Sequence, residues 1–433
     1  MTSFECRPGG PVTGTIRVPG DKSISHRSII LSSIAEGPSY ISGFLEGEDS
    51  LNTLRAFQSM GVPIERDGDR VWVQGVGLHG LKKPVAALEM GNSGTAMRLL
   101  LGLLAGQAFD ATLAGDESLS KRPMNRVIEP LAAMNAVIDS RPGGMAPLQV
   151  HGRSQLSAIN YRLPIASAQV KSCLLLAGLY APGTSTISEP APTRDHTERM
   201  LRGFGCEVIS NGSDISVSGG QSLTGCDIEI PADISSAAFF LVAASIAPES
   251  EITLQHVGIN PTRTGVIEIL KLMGADIELL DQREIGGEPV ADIRVRSAVL
   301  QGINIPQSLV PLAIDEFPAL FIAAACASGE TQLSGAEELR VKESDRIQVM
   351  ADGLYALGIE VEPTPDGIRI QGGTMVGGVI ESHGDHRIAM AFSVASLRTK
   401  EAISIKDCAN VNTSFPGFVD LARQVGISIT SHD

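Results

Sequence analysis

The sequence is poor in aromatic side chains, 4% in all with one Trp and four Tyr, which removes the stacking surface that single-stranded nucleic acid needs. Its six Cys, at 6, 173, 206, 226, 326 and 408, form no C-x-x-C pair. Neither a zinc site nor a disulfide framework is indicated, and Cys173 and Cys326, set in apolar runs, read as small core residues. No apolar stretch reaches 18 residues, so no membrane span is expected. The opening MTSFECRPGG lacks a basic-then-apolar run, so no signal peptide is expected and the cytoplasm is the default location. There is no H-E-x-x-H and no Asp-rich cradle, so no metal is called for. A G-x-G-x-x-G after an opening strand is also missing, which disfavours a simple doubly wound fold. Basic residues are outnumbered, 34 Lys and Arg against 49 Asp and Glu, for a net charge of −15. That balance works against long-range attraction to DNA or RNA but leaves a local anion site open.

What is present is apolar bulk and repetition. Hydrophobic residues make up 43% of 433 and charged ones 19%. This is too much core for a disordered chain and too long a chain for one core, so two domains are expected. Six times a polar turn leads into a run of small and aliphatic residues. The runs are GDKSISHRSIILSSIAEG from Gly20, GNSGTAMRLLLGLLAG from Gly91, LPIASAQVKSCLLLAG from Leu163, PADISSAAFFLVAA from Pro231, AIDEFPALFIAAACASG from Ala313 and GDHRIAMAFSVAS from Gly384. Ser23, Ser93, Ser167, Ser235, Glu316 and His386 mark equivalent points, and their spacing averages about 72 residues, one sixth of the chain. Each run reads as a buried helix with a capping Ser, Asn or Asp near its start.

Between the runs a second helix ends on a glycine and enters a strand, as in LRAFQSMGVPIE, LRGFGCEVI, LKLMGADIEL and LYALGIEVE, with LAAMNAVIDS and Asn135 as a variant. Each repeat is therefore helix, strand, helix, strands. Since no repeat buries its faces alone, three should pack into each domain. The expected division is residues 1–18 with 232–433, and residues 19–231. The strand Thr15–Val18 is expected to complete the short sixth repeat.

Cations collect at the helix starts. Lys22 and Arg27 flank the first, and Gly91–Arg98 opens the second with glycines for close approach, hydroxyl donors and the Arg98 fork. Ser167-Ala168-Gln169 opens the third, while Lys121-Arg122 and Arg194 stand on loops. Taken singly each Arg is an ordinary solvated charge; their clustering is the signal. The stretch GNSGT lacks the Gly-Lys-Ser/Thr ending of a nucleotide P-loop. In the other half acids join the bases, at Asp315-Glu316, in the run Arg340–Arg346, and at Gly384-Asp385-His386-Arg387. A mixed cluster beside an anion site is what proton transfer requires. The residues alone point to small, multiply anionic ligands, a site between domains, and closure on binding.

These segments carry a resemblance. Gly20–Arg27, Gly91–Arg98, Arg340–Arg346 and Gly384–Met390, in order and at these spacings, are similar to the 3-phosphoshikimate 1-carboxyvinyltransferase (EPSP synthase) family over essentially the full length. The resemblance implies an α/β fold, a two-domain inside-out α/β barrel of six repeated α/β units, three per domain. It implies transfer of the enolpyruvyl group of phosphoenolpyruvate (PEP) to the 5-hydroxyl of shikimate 3-phosphate by addition and elimination, in aromatic amino-acid synthesis. Neither metal nor organic cofactor is implied, nor nucleic acid or membrane partners, and a monomer is the family default.

The resemblance gives Lys22 contact with both substrates and a catalytic role. It gives shikimate 3-phosphate to Ser23, Arg27, Ser167, Ala168, Gln169, Thr193, Arg194, Asp315 and Lys342, and PEP to Gly94, Arg122, Gln169, Arg346 and Arg387. Asp315 is implied as base for the attacking hydroxyl and Glu343 as the group exchanging protons at the methylene carbon. Two positions depart from the familiar pattern. Ala168 replaces a second Ser, and Asn412–Pro416 lacks the Lys that precedes Thr-Phe-Pro in other members, which suggests a divergent bacterial subgroup. Gly94 implies sensitivity to glyphosate. The sister family that acts on UDP-N-acetylglucosamine typically carries a Cys in the stretch Ala114–Arg126, and here there is none. A non-catalytic anion-binding module would keep the cationic helix starts without needing Asp315 and Glu343.

Overall fold

The computed structural model describes residues 2–152 and 155–432. The chain divides into a discontinuous unit, Met1–Pro19 with Pro231–Glu284 and Pro289–Asp433, and an inserted unit, Gly20–Ile230 with Ile285–Glu288. Each unit has its own hydrophobic core.

Three buried helices form the centre of each unit. In the inserted unit they are Lys22–Ile34, Gly94–Ala105 and Ala168–Gly178, and in the discontinuous unit Ile234–Ile246, Phe317–Ala325 and His386–Ala395. Apolar or small residues surround these helices on every side, so no face is left for water; Ile234–Ile246 is buried at every position. Five begin on a side-chain cap. Asp21, Ser93, Ser167, Asp233 and Asp385 each accept a hydrogen bond from a first-turn N–H. The fifth helix of the set has no such cap at Glu316 and enters through Pro318 instead. The second helices end as the sequence predicts, with Gly61, Gly205, Gly274, Gly358 and Asn135 in the left-handed region that stops a helix.

Glycine also sets how closely two buried helices approach. A Cβ on Gly102 would lie 2.1 Å from the Cys173 carbonyl oxygen on the neighbouring helix. Ala is the better helix former by about 1 kcal/mol, but the obstacle is backbone and cannot rotate away. Gly102→Ala is expected to lower stability by about 1–3 kcal/mol net, read as a lower urea midpoint; an unchanged midpoint would show that the helices part freely.

Among the described residues, six small sheets cover the helices. The first runs Asp227–Glu229, Glu36–Ser42, Arg70–Val76, Ile64–Asp67, a parallel edge strand followed by antiparallel pairs. The sheets opened by Leu88–Glu89 and by Asn160–Arg162 repeat this order. In each, the edge strand comes from the end of another repeat. For the first sheet it comes from the third, so the three repeats of the inserted unit link in a closed cycle.

The discontinuous unit closes its cycle through the N-terminal segment, in a way that corrects the expectation for Thr15–Val18. It is Ser3–Cys6 that fills the sixth sheet, between Ile403–Lys406 and Ile429–His432, with Phe4 and Cys6 inward. The next strand, Thr13–Ile16, instead pairs in parallel with Glu251–Gly258 as the edge of the fourth sheet. The sixth repeat is thus split between the two ends of the sequence. Among the described residues no helix is long and apolar enough to cross a membrane.

Candidate active site

The inserted unit gathers its polar residues at the starts of its three buried helices. Lys22 opens the first and ion-pairs with Asp49 of the following helix. One turn on, Arg27 is buried and donates from Nε to Thr197 Oγ1 (2.6 Å), from Nη2 to Ser172 Oγ (2.9 Å) and from Nη1 to the Ser23 carbonyl (2.9 Å). Burial lowers its pKa to about 10, with the charge of Glu198 working against that shift.

His26 links the first helix to the second. Its Nδ1 meets Thr53 Oγ1 at 2.8 Å and its Nε2 meets Ser93 Oγ at 3.2 Å. Burial, then the charges of Lys22 and Arg27, hold its pKa well below the usual value, so the ring is neutral. The ring thus bridges Thr53 on the helix Glu48–Ser59 and Ser93 at the start of the second buried helix. Ser93, the cap just before Gly94, is thereby fixed to the Lys22 helix.

The second and third helix starts are joined through Gln169, which accepts from Arg98 and donates to Thr95 Oγ1 at 2.9 Å. Arg122 donates to Asn92 Oδ1 (2.7 Å) and Ser118 Oγ (3.2 Å). A Cβ on Gly94 would lie 2.8 Å from Arg98 Nη1 and 3.7 Å from Arg122 Nη1, so two guanidinium groups flank this glycine. Ser167 caps the third helix, and Ala168 offers no side-chain donor. Thr193 is fastened to Glu189 through its N–H (3.3 Å) and its hydroxyl (2.6 Å), and Arg194 follows in the loop before the helix His196–Gly203.

The discontinuous unit carries a second cluster, built around Arg346, which is 1% exposed. Its Nε donates to Asp385 Oδ2 (2.8 Å) and its Nη2 to Glu343 Oε2 (2.6 Å), while Nη1 stands 3.5 Å from Asp315 Oδ1. Burial alone would lower the Arg346 pKa; the carboxylates, Asp385 first and then Glu343, override it and raise the value. Asp385 is wholly buried, which works to raise its pKa, and the Arg346 charge reverses this to a net lowering. Lys342 Nζ lies 3.4 Å from Asp315 and 3.7 Å from Glu338. Arg387 donates to the Asp315 carbonyl at 2.8 Å and takes its own N–H cap from Asp385. Asp315 and Glu343 keep 16% and 27% of their side chains exposed. Chemically this is a pair of reachable carboxylates on one buried cation. The guanidinium faces both acids, and their exposure leaves both open to exchange protons with a ligand.

Each sequence-predicted residue thus lies in one of two clusters. Lys22, Ser23, Arg27, Gly94, Arg122, Ser167, Ala168, Gln169, Thr193 and Arg194 are in the inserted unit, and Asp315, Lys342, Glu343, Arg346 and Arg387 are in the discontinuous one. The segment Asn412–Pro416 is anchored by Phe415, whose ring packs on Phe240 and Phe418.

A sequence model described as EPSP synthase (3-phosphoshikimate 1-carboxyvinyltransferase) matches residues 6–421. The chain belongs to the EPSP synthase family. The 3-phosphoshikimate 1-carboxyvinyltransferase of Alkalilimnicola ehrlichii is 65% identical over 432 residues, covering 99% of this chain and 97% of its own. That of Methylococcus capsulatus is 64% identical over 427 residues, 98% of each chain. A solved structure of EPSP synthase from Acinetobacter baumannii superposes with a TM-score of 0.91 at 56% identity, covering 100% of both chains. The fold is the two-domain α/β fold of the enolpyruvyl transferases. As an EPSP synthase family enzyme, the protein transfers the enolpyruvyl group of PEP to shikimate 3-phosphate.

Sequence reasoning passed over Asp49, Asp385 as the grip on Arg346, and Lys171. The first two are acids at helix starts, and nothing in the sequence ties Asp49 to Lys22 or Asp385 to Arg346. Lys171 did give a signal, as a lone cation inside the apolar run VKSCLLLAG.

Proposed function

We propose that the discontinuous unit's cluster carries the proton transfers and the inserted unit's cluster holds the shikimate phosphate. Asp315 takes the proton of the 5-hydroxyl as its oxygen bonds to C2 of PEP, while Glu343 gives a proton to the methylene carbon. In the second step the C2–O bond to phosphate breaks, Glu343 takes a proton back from the methyl group, and Asp315 returns its proton to the departing phosphate. The products are 5-enolpyruvylshikimate 3-phosphate and phosphate. Lys342 holds the attacking hydroxyl. Lys22, Gly94, Arg122, Gln169, Arg346 and Arg387 receive PEP, and Lys22, Ser23, Arg27, Ser167, Gln169, Thr193 and Arg194 receive shikimate 3-phosphate, with the Ala168 side chain contributing no donor.

The observation that carries this reading is the sharing of Arg346 by Glu343 and Asp315, 2.6 Å and 3.5 Å from its terminal nitrogens. Asp315→Asn tests it through phosphate release from PEP and shikimate 3-phosphate. Turnover is expected to fall by about 10²-fold or more with both substrates still bound; near-normal turnover would remove Asp315 as the base.

The flanking of Gly94 by Arg98 and Arg122 gives a second expectation. A methyl group there presses on guanidinium ends that can swing aside, at a cost of about 1–3 kcal/mol. Gly94→Ala is expected to raise the glyphosate inhibition constant by about tenfold or more and the KM for PEP by less. Equal shifts in both, or none, would show that the glycine does not shape this pocket.

A further inference from the structure

Lys171 is used by none of the steps above, yet it is the most deeply buried lysine-carboxylate assembly among the described ion pairs. It lies in the third buried helix, one turn beyond Ser167 and two residues after Gln169, with its side chain 1% exposed. Its Nζ is 3.0 Å from Glu189 Oε2, 2.8 Å from Glu198 Oε1 and 3.5 Å from the Thr193 carbonyl oxygen. Glu198 is 2% exposed and Glu189 9%. A buried cation without partners is strongly unfavourable, and so is a pair of buried carboxylates; the three are tolerable only together.

The assembly touches both supports of the phosphate pocket. Through Glu189 it holds Thr193, which accepts no freedom at either its N–H or its hydroxyl, and so sets the loop that presents Arg194. Through Glu198 it holds the helix His196–Gly203, whose Thr197 accepts from Arg27 Nε and donates to Ser172 Oγ (2.7 Å). Ser172, the residue after Lys171, also accepts from Arg27 Nη2. The helix start at Ser167, the Thr193-Arg194 loop and the Arg27 guanidinium are therefore tied to one ammonium group.

We infer that Lys171 is a positioning residue for shikimate 3-phosphate. It keeps Glu189 and Glu198 away from Arg27 and Arg194, so that these two cations remain available to the substrate's phosphate. Without the ammonium charge the two carboxylates turn to the neighbouring guanidinium groups and compete with the phosphate for them. This inference rests on the assignment of Arg27, Ser167, Thr193 and Arg194 to that phosphate.

The test is steady-state kinetics on the full-length enzyme with each substrate varied in turn. Lys171→Met keeps the length and apolar bulk of the stem and removes the charge. It is expected to raise the KM for shikimate 3-phosphate by about 10–100-fold, with the KM for PEP and kcat within about threefold of the parent. Lys171→Met/Glu189→Gln, which also removes one carboxylate, should recover part of the lost affinity. Glu189→Gln alone leaves the Lys171–Glu198 pair in place, while it weakens the Thr193 anchor and removes one of the two counter-charges of the ammonium. It should raise the same KM by about threefold, and it decides the matter if Lys171→Met is not recovered folded. An unchanged KM for shikimate 3-phosphate, or a parallel loss in both KM values and kcat, would overturn the inference. Ser167→Ala separates this from the underlying assignment. If it raises the KM for shikimate 3-phosphate while Lys171→Met does not, the positioning role alone fails; if neither raises it, the pocket has been assigned to the wrong residues.

Discussion

Replacing Glu343 by Gln is expected to lower kcat by about 10²–10⁴-fold while shikimate 3-phosphate still binds with near-normal affinity. The two carboxylates of this cluster differ in their surroundings. Glu343 accepts a charged hydrogen bond from Arg346 Nη2, and its side chain is 27% exposed. Asp315 lies beside both Lys342 and Arg346 and is less open. The more accessible acid is the better placed to give a proton and take one back within the same turnover. Gln preserves the shape and can still accept from Arg346, so binding and packing are retained and the proton is what is lost. The diagnostic readout is exchange of the PEP methylene hydrogens with solvent deuterium in the presence of shikimate 3-phosphate. The variant should show almost none, whereas Asp315→Asn should depress hydroxyl addition. Glu343→Gln with exchange at the parent rate would transfer the methylene chemistry to another residue.

Local features of the fold were legible in the sequence because their causes are local. An Asp or Ser before an apolar run caps a helix whatever lies elsewhere, and Asp21, Ser93, Ser167, Asp233 and Asp385 all do so. A glycine or asparagine after LRAFQSM-like helices needs only its own backbone freedom to end them. Strand partners are different. Ser3–Cys6 and Thr13–Ile16 are both short segments near the start, and which of them completes the sixth sheet depends on partners some 400 residues away. Nothing within either segment marks Ser3–Cys6, rather than Thr13–Ile16, as the strand of the sixth sheet.

The clusters divide in the same way. That Arg340–Arg346 mixes acids and bases is plain in the run itself. That Arg346 points inward onto Asp385, 39 residues later, is a fact of packing. Arg27 reads in the sequence as a cation facing a ligand. In the fold its three nitrogens already reach Thr197, Ser172 and the Ser23 carbonyl, so its contribution to an anion site depends on partners 145 and 170 residues away. The lone Lys inside an otherwise buried helix was the one long-range feature with a local sign. A charge that cannot reach water requires opposite charges beside it, and Glu189 and Glu198 meet that need.

Removing Asp385 should be the most destabilising change in the discontinuous unit. Its carboxylate takes hydrogen bonds from Arg346 Nε, Ser344 Oγ and the Arg387 N–H, all at or below 3.0 Å, and neither it nor Arg346 has access to water. Asp385→Ala leaves a buried guanidinium short of its main counter-charge and uncaps the helix His386–Ala395. A loss of about 3–5 kcal/mol is expected from the broken pair, with about 1 kcal/mol more from the cap. The effect has a pH signature. Because the folded-state pKa of Asp385 lies below its ordinary 3.8, the folded protein binds this proton less readily than the unfolded chain. The stabilisation is therefore complete above the unfolded value and fades as pH falls through the lower folded one. The stability gap between parent and Asp385→Ala should stay constant from neutral pH to just above the ordinary carboxylate range, then narrow in more acidic solution. Urea unfolding at a series of pH values measures this gap. A gap that widened on acidification would mean that Asp385 is held protonated in the fold, and the Arg346 cluster would then lack the negative charge on which its arrangement depends.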